Sequence, residues 1–417
     1  MKRRERTVDV LVVGAGPAGL GAAAALAAAG VRRVEVLERE QAAGGVPRHC
    51  HHPGFGSTRA GGGSSGPEYA RRCVTAAERA GATLRTGVTA TGWTGPRTLD
   101  ITGPGGLERI TAGAVVLATG ARERPRSARL VPGTRPEGVY TTGELQQAVH
   151  LHHQRIGRRA VVVGDEPISV AAAGTLRAAG VHLVARVTDR PPALPAALAP
   201  WLGAPLLTRT TVTALTGRTR LTGVALRHAD GRTTTLACDT VVFTGDWIPE
   251  HELARSGGVP LDPGTRGPAH DAAHRTARPG VFAVGNLLHA VERAGTAAAE
   301  GQAVAAPVLR YLTTGDWPEN RPALTVETPL AWIAPNLIDP EAPRPLDGRF
   351  LLRASRRLTA PLLTAHQDGR ELYRGRLLRS VLPGRSLPLP AHWLDRADPR
   401  GGPVRITAGP TARPLRE

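Results

Sequence analysis

The stretch from residue 10 to residue 38 constrains the fold of this chain more than any other. An apolar run of strand type, residues 10–13, is followed by a glycine-rich turn over residues 14–19 and an alanine-rich helical stretch. A second apolar run then ends at Glu38. The order of strand, glycine turn, helix, strand and acid, with about twenty residues between turn and acid, is typical of a dinucleotide-binding βαβ unit.

Each glycine of the turn has a separate physical task. Gly14 allows a sharp exit from the strand, Gly16 lets a pyrophosphate approach the backbone, and Gly19 allows close packing of helix on sheet. The N–H groups and dipole at the helix start favour the negative charge of a phosphate. Glu38 is expected to accept hydrogen bonds from a ribose. The predicted dinucleotide contacts in this unit are Gly14, Ala15, Gly16, Pro17, Ala18, Gly19, Glu38 and Arg39.

Composition narrows the class of protein. The chain has 417 residues, enough for two or three domains, and only 3% of them are aromatic, so alanine, valine and leucine must form the core. A formal net charge of +18 would suit a nucleic-acid partner. However, Lys2 is the only lysine and the arginines are spread along the whole chain. We therefore expect no nucleic-acid binding.

The three cysteines, Cys50, Cys73 and Cys238, are widely separated. They match neither a disulfide framework nor the spacing of a metal site. After the first unit, no stretch is long and apolar enough to be predicted as a membrane span. The sequence therefore predicts a cytoplasmic protein that holds no metal ion.

The loop after Glu38 is the most unusual stretch, because His49, Cys50, His51 and His52 are consecutive. Contiguous ligands rarely surround one metal ion, since neighbouring side chains point apart. We favour a loop that lies along the pyrophosphate and reaches the reactive end of the dinucleotide, with Arg48 at the phosphates. A polar surface loop is the alternative.

An internal repeat indicates a second unit of the same type. The stretch from Val12 through Gly14 to Gly30 matches the stretch from Val162 through Gly164 to Gly180 at a constant offset of 150 residues. Later in each unit a strand ends in Thr-Gly, at residues 119–120 and again at residues 244–245. The chain is thus predicted to contain two dinucleotide-binding folds.

The second unit departs from the pattern at its phosphate-binding turn. Glu166 and Ser169 replace the second and third glycines, and Asp165 adds another negative charge that would repel a pyrophosphate. Thr188 stands at the position that matches Glu38, and the nearby Arg186 and Arg190 would suit a 2′-phosphate or be plain surface charges. The fold of this unit is predicted, but its ligand stays open.

The other stretches complete a chain of helices and strands. A helix is predicted over residues 67–81, short strands with Gly-Pro turns over 83–111, and an alanine-rich helix over 293–312. After residues 315–322 the pattern changes to short strand-like runs. They cover residues 349–355, 358–366, 371–376 and 377–382, with Asp368-Gly369 as a hairpin turn.

Together these motifs resemble the pyridine nucleotide-disulfide oxidoreductase-like superfamily, flavoproteins with two dinucleotide-binding domains, over residues 8–314. The resemblance implies that the first unit binds FAD and that the inserted second unit binds NAD(P)H. It places Asn286 where the family has an acid beside FAD. The further cofactor contacts predicted with this resemblance are Gly45, Arg48, Val88, Ala118, Thr119, Gly120, Gly285 and Asn286, with Gly164 in the second unit.

The redox-active cysteine pair of that superfamily is absent, because Cys50 has no partner at a Cys-x2-Cys or Cys-x4-Cys spacing. Disulfide reductase chemistry is therefore not expected. The stretches at residues 44–50, 244–249 and 285–288 look more like one subgroup of the superfamily. That subgroup contains the flavin subunits of opine oxidases, hydrogen cyanide synthase and related amino-acid or amine dehydrogenases.

The predicted fold class is α/β, with two Rossmann-like three-layer domains of FAD and NAD(P) type and a small C-terminal β domain. We expect the FAD domain in two parts, residues 1–135 and 246–318. The NAD(P)-type domain is expected over residues 136–245, and the β domain over residues 319–417.

The predicted function is an FAD-dependent oxidoreductase that transfers hydride through bound FAD, with NAD(P)H as electron partner. One alternative is a flavin subunit of an amine or amino-acid dehydrogenase, of opine or sarcosine type, with a non-functional NAD site. Another is a non-catalytic FAD-bearing scaffold. We expect a small-molecule substrate, a homo- or hetero-oligomer and an electron-accepting partner subunit.

The catalytic candidates are His49, Cys50, His51 and His52. An imidazole titrates near neutral pH and so suits general acid–base chemistry. A reversible flavin or peroxide adduct at Cys50 would require a lowered thiol pKa.

Overall fold

The computed structural model of the chain describes residues 3–56, 63–191, 203–290, 292–339 and 341–409. It confirms the predicted α/β class, with parallel sheets in both dinucleotide-binding units. The first unit begins with β1 (Arg4–Val13), α1 (Pro17–Ala28), β2 (Val34–Glu38), α2 (Gly66–Arg79), β3 (Thr83–Thr86), β4 (Thr89–Gly95), β5 (Thr98–Gly103) and β6 (Gly106–Leu117).

The second unit follows a short linker strand, β7 (Ala121–Glu123). Its elements are β8 (Val139–Thr141), α3 (Thr142–His150), β9 (Arg159–Val163), α4 (Pro167–Ala178), β10 (His182–Val187), β11 (Leu206–Leu207), β12 (Thr211–Gly217), β13 (Leu221–Arg227), β14 (Thr233–Ala237) and β15 (Thr240–Phe243). The chain then returns to the first unit through β16 (Trp247–Pro249), α5 (Glu252–Ser256), β17 (Val281–Ala283), α6 (Ala294–Ala303) and α7 (Ala305–Thr314).

The first sheet brings the ends of its parallel strands together. Its order is β3-β2-β1-β6-β5-β4, with β17 also paired to β6, and β4 and β5 are antiparallel to their neighbours. Val13 at the end of β1 pairs with Leu37 of β2 and Leu117 of β6, and Ala283 of β17 pairs with Leu117. The residues that follow these strands therefore meet at one carboxyl edge, the usual ligand position in such sheets.

The second sheet repeats this arrangement with the order β11-β10-β9-β15-β8, and all of its described pairings are parallel. Val163 at the end of β9 pairs with Val187 of β10 and Phe243 of β15. The turns after these three strands thus share one edge. Strands β12, β13 and β14 form a separate antiparallel sheet, and the linker strands β7 and β16 pair with each other.

Small residues allow close approach of the helices in the first unit, as the composition predicted. The core around α1 consists mainly of alanine, valine and leucine. A Cβ on Gly301 of α6 would lie 1.9 Å from the Ala18 carbonyl oxygen, and one on Gly21 would lie 2.6 Å from the Ala298 carbonyl oxygen. Helices α1 and α6 are therefore in direct backbone contact beneath the carboxyl edge.

The C-terminal β unit, residues 324–409, contains two sheets of order β18-β24-β21-β22 and β19-β20-β23. The hairpin turn at Asp368-Gly369 is confirmed, since both residues have positive φ, 48° and 82°. The strands are β18 (Leu324–Val326), β19 (Leu330–Ala334), β20 (Arg349–Ala354), β21 (Leu362–Gln367), β22 (Arg370–Arg376), β23 (Ser386–Pro390) and β24 (Val404–Gly409).

The predicted strand over residues 377–382 is wrong. This stretch makes only an isolated bridge between Val381 and Leu358, and Leu378 is 89% exposed. It runs along the surface without a neighbouring strand on which to form a ladder.

The domain boundaries at residues 135, 245 and 318 remain a prediction. Among the described helices, none has the length and apolar character needed to cross a membrane.

Candidate functional site

The glycine turn after β1 forms a cradle that only glycine can build. Gly14 has a φ of +107°, and a Cβ there would lie 2.4 Å from the Ala118 carbonyl oxygen. A Cβ on Gly19 would lie 1.9 Å from the Gly14 carbonyl oxygen. Gly16, the N-cap of α1, has no heavy atom within 4 Å of its ideal Cβ position. The turn is thus packed on its sheet side and open on the side where a phosphate would approach.

Glu38 and the loop after it close around this turn. The Glu38 carboxylate accepts hydrogen bonds from the backbone N–H of Ala15 at 3.1 Å and of Glu40 at 2.9 Å. A Cβ on Gly45, whose φ is +62°, would lie 2.8 Å from the Gly16 Cα. The structure therefore brings the two predicted phosphate-binding segments, around Gly16 and Gly45, into contact.

The flanking cofactor candidates have different exposures. Arg48, 20% exposed, lies beside the cradle and donates to Glu40 at 2.5 Å. Val88 is buried, and its backbone N–H donates to the Glu38 carbonyl at 2.9 Å. Arg39 is 62% exposed and pairs with Glu250 at 3.4 Å, so it lies on the rim.

Two further turns complete the edge. The Thr119 hydroxyl donates to the Glu250 carbonyl at 2.7 Å, and Gly120 has a φ of +78°. After β17, Gly285 has a φ of +73°, and a Cβ there would lie 2.6 Å from the Ala18 Cβ. Asn286 follows directly. The structure thus places the turns after β1, β6 and β17 around the start of α1, as the parallel register requires.

The run of residues 49–52 separates in space, because consecutive side chains leave the 3₁₀ turn at Val46–His49 in different directions. His49 and Cys50 are each 4% exposed, and the Cys50 thiol donates to Gln146 Oε1 at 3.3 Å. His51 stacks on His150 of α3, with ring centroids 4.0 Å apart. His52 is exposed and packs against Phe55.

Burial shifts the titration of this run. It raises the pKa of the Cys50 thiol to about 12, with a further contribution from the Glu123 carboxylate. The lowered thiol pKa required for an adduct at Cys50 is therefore not present. Burial, aided by the positive charge of Arg48, lowers the pKa of His49 to about 4.

We expect the His49 imidazole to make folding pH-dependent. Its pKa is lower in the folded chain, about 4, than its ordinary value of 6.5. The stability it contributes is thus complete above pH 6.5 and is lost as the pH falls towards 4. The total loss is about 3 kcal/mol. The free energy of unfolding, measured with urea at each pH in this range, should depend less steeply on pH for His49→Gln than for the wild type. For the exposed variant His52→Gln, this slope against pH should match the wild type. Equal slopes for His49→Gln and wild type would contradict this expectation.

A buried acid–base pair beneath the β17 turn escaped sequence analysis. Glu300 of α6 is 5% exposed, and its Oε1 lies 2.8 Å from His289 Nε2. Its other oxygen accepts a hydrogen bond from the Gly285 N–H at 3.0 Å. Burial disfavours the charged form of both side chains, but their mutual attraction and hydrogen bond act in the opposite direction. As a result, the pKa of Glu300 is lowered and that of His289 is raised. The signal available in the sequence was a single acidic residue, Glu300, within the alanine-rich stretch of residues 293–312.

In the second unit, Glu166 occupies the space above the glycine turn. Its Oε2 accepts a hydrogen bond from the Thr244 hydroxyl at 2.9 Å. A Cβ on Gly245 would lie 2.8 Å from the Glu166 Cδ, and one on Gly164 would lie 2.5 Å from Glu166 Oε2. Glu166 is also the N-cap of α4. Its carboxylate thus lies between the turn after β9 and the turn after β15, at the carboxyl edge where sheets of this type bind their ligands.

Two more carboxylates near this turn are engaged by an ion pair or hydrogen bonds within the protein. Asp165 pairs with Arg186 of β10 at 2.8 Å, and both side chains are 2% exposed. Glu123 of β7 accepts hydrogen bonds from the N–H groups of Gly143 and Gly245, both at 3.0 Å. Arg186 therefore faces the interior, and of the two arginines considered for a 2′-phosphate only Arg190 is exposed.

Within the described ranges, no group of three or more His, Cys, Asp or Glu side chains is arranged to hold a metal ion. The three cysteines are free thiols, with Cys50 and Cys238 buried.

Two dinucleotide-binding folds, of which the first has an open glycine cradle and an acid at the end of its second strand, define a two-domain flavoprotein. The family model for pyridine nucleotide-disulphide oxidoreductases matches residues 8–301, and the chain belongs to this family. It is an FAD-dependent oxidoreductase. The glycine cradle fits FAD, because its sheet side is closed and its phosphate side is open.

The chain is similar to the alpha chain of sarcosine oxidase from Rhizobium meliloti, with 29% identity over 272 residues, 61% of this chain and 26% of that protein. It is 31% identical over 183 residues to one subunit of the opine oxidase from Agrobacterium tumefaciens, 42% of this chain and 35% of that protein. The matches thus span about a quarter to a third of these relatives. The thioredoxin reductase of T. acidophilum matches with a TM-score of 0.61 and 25% identity, covering 73% of this chain and 98% of that one.

Proposed function

We propose that this chain is the FAD-bearing subunit of an amine or amino-acid dehydrogenase, and that its second dinucleotide-binding fold is structural. The observation that supports this proposal is the Glu166 carboxylate, which lies between the glycine turns after β9 and β15 and is held there by Thr244. A pyrophosphate would meet like charge at this point, which makes its binding less favourable.

The first unit supplies the residues that would hold FAD. Gly14, Gly16 and Gly19 would form the phosphate cradle, with the N-terminal N–H groups of α1 at its open side. Glu38, which lies beside the turn, would accept hydrogen bonds from a ribose. When bound, FAD supplies a ring that accepts hydride from a reduced substrate. The N-terminus of α6, at Ala294, would favour negative charge near the same edge.

Proton transfer is assigned to the histidines of the loop. His51 and His52 are exposed and so open to a small-molecule substrate, whereas His49 is buried and neutral above pH 6.5. We propose His51 and His52 as proton carriers, and Cys50 as a buried packing residue that fixes the loop on Gln146.

The two relatives are named as subunits of a sarcosine oxidase and of an opine oxidase. We propose by similarity that this chain also works in a hetero-oligomer, in which a partner subunit takes up the electrons. The three free thiols fit a reducing compartment, so we propose a cytoplasmic location.

NAD(P)H as the electron partner is the second candidate function. The observation that favours it is the parallel sheet formed by the described strands of the second unit, with Gly164 directly after β9 in a left-handed conformation, φ +134°.

Anaerobic reduction of the FAD-loaded protein separates the two functions. We expect a panel of amines and N-substituted amino acids to bleach the flavin absorbance, and NADH and NADPH to leave it unchanged. Bleaching of wild-type protein by either nicotinamide would contradict the proposal. If neither class of donor bleaches a flavin that dithionite does reduce, both candidate functions are contradicted.

The variant Glu166→Gly tests the role of the carboxylate directly. If Glu166 alone blocks the site, this variant should gain nicotinamide binding, seen as quenching of NADPH fluorescence, while FAD content stays unchanged. Asp189→Gly, an exposed acid of the same unit, is the control and should bind no nicotinamide. Failure of the Glu166→Gly variant to gain binding would show that Glu166 is not the main obstacle.

A further inference from the structure

The C-terminal β unit packs against the turn that follows β17. This turn carries Gly285 and Asn286, two predicted FAD contacts, and it leads into α6. Side chains from three strands of the β unit touch it: Trp332 of β19, Arg353 of β20 and Ser386 of β23. The β unit is therefore in direct contact with a turn that carries two predicted FAD contacts.

A polar contact joins the β unit to Glu292. Arg353 donates to Glu292 Oε1 at 3.1 Å, and their side chains are 11% and 12% exposed. The Ser386 hydroxyl donates to the same oxygen. Arg353 also lies over the Trp332 ring, 4.9 Å from its centroid. The carboxylate is thus held between two strands of the β unit in a site largely removed from water.

Glu292 in turn sets the orientation of Asn286. The Glu292 N–H donates to Asn286 Oδ1 at 3.0 Å, and Asn286 Nδ2 donates to the Glu292 carbonyl at 3.4 Å. Both polar atoms of the amide are therefore engaged by one residue. Movement of Glu292 would release the Asn286 side chain.

A second contact reaches the other end of the same turn. Trp332 stacks on His289, with ring centroids 5.9 Å apart and an interplanar angle of 28°. His289 pairs with Glu300, whose other oxygen accepts from the Gly285 N–H. Gly285 is thus connected to the β unit through the buried pair of Glu300 and His289, and Asn286 through the partly buried Glu292.

We propose that the C-terminal β unit holds residues 285–290 and Glu292 in the conformation that binds FAD. Arg353 is a positioning residue that acts through Glu292 on Asn286. A turn that is ordered beforehand loses less conformational entropy when the cofactor binds. This inference concerns cofactor retention and does not depend on which donor reduces the flavin.

The test measures the Kd of FAD for flavin-depleted protein by quenching of flavin fluorescence. Loss of a hydrogen bond to a charged group at this depth should weaken FAD binding about tenfold in Arg353→Ala and in Glu292→Gln. The double variant should be no weaker than the worse single variant, because both disrupt one contact. Arg374→Ala removes an exposed ion pair with Glu371 in the same unit and should bind FAD within about twofold of wild type.

Circular dichroism of each flavin-depleted protein separates positioning from unfolding. Glu292→Gln preserves side-chain volume and carries the test if Arg353→Ala does not fold. A native spectrum with unchanged Kd in both single variants would overturn the proposal. So would unfolding of both, or an equal loss of affinity in Arg374→Ala, because each would indicate a general structural role.

Discussion

Gly19→Ala is expected to purify without FAD. The added Cβ would lie 1.9 Å from the Gly14 carbonyl oxygen, so α1 must move away from the sheet or the turn must change shape. The atom that it meets is backbone and has no rotamer with which to escape. We expect FAD affinity to fall about a hundredfold, the upper range for overpacking at a fixed contact. Flavin absorbance per chain after gel filtration measures the effect.

Two further glycine variants separate binding from folding. Gly16→Ala adds a Cβ with no heavy atom within 4 Å, so the flavin-depleted protein should be as stable as wild type while FAD binding is lost. Gly174→Ala lies in α4 with equally open surroundings and should retain FAD fully. Stoichiometric FAD in Gly19→Ala would contradict the cradle described here.

Arg186→Ala should strongly destabilise the second unit. The substitution removes the arginine that pairs with the Asp165 carboxylate at 2.8 Å, in a place where both side chains are 2% exposed. Removing one member of a buried ion pair costs about 3–5 kcal/mol, because a charge remains in a poorly solvated place. Urea denaturation should show this loss in the free energy of unfolding.

Two further variants serve as controls for Arg186→Ala. Arg190→Ala changes an arginine that is 66% exposed in the same unit and should alter the free energy of unfolding by less than about 0.5 kcal/mol. Replacing both partners, as in Asp165→Asn with Arg186→Met, should recover much of the loss. An Arg186→Ala variant as stable as Arg190→Ala would show that the pair contributes nothing to folding.

The first unit could be predicted because its constraints are local in sequence. Gly14 and Gly19 lie within one turn, and Glu38 is the last residue of the adjacent strand, so period and spacing alone place them at one edge. The second unit, with its glycine turn at Gly164, could be predicted from the internal repeat for the same reason. The hairpin at Asp368-Gly369 was also predictable, since two residues determine the turn type.

The parts that sequence analysis missed depend on contacts between distant residues. Arg186 reads as a surface charge near a ligand, yet its side chain turns inward to Asp165, 21 residues away. Glu292 and Arg353 are 61 residues apart, and no periodicity links them. Cys50 looks reactive beside three histidines, but α3 covers it through Gln146, and burial raises its pKa. Burial of this kind follows from packing between units.

The number of dinucleotides bound per chain distinguishes a structural second fold from a nicotinamide-binding one. Equilibrium dialysis of the intact protein against FAD, and then of the FAD-loaded protein against NADPH and NADH, gives this number. One FAD and no nicotinamide dinucleotide per chain is the predicted result, because the first turn is open at Gly16 and the second carries the Glu166 carboxylate. One FAD together with one nicotinamide dinucleotide would contradict it.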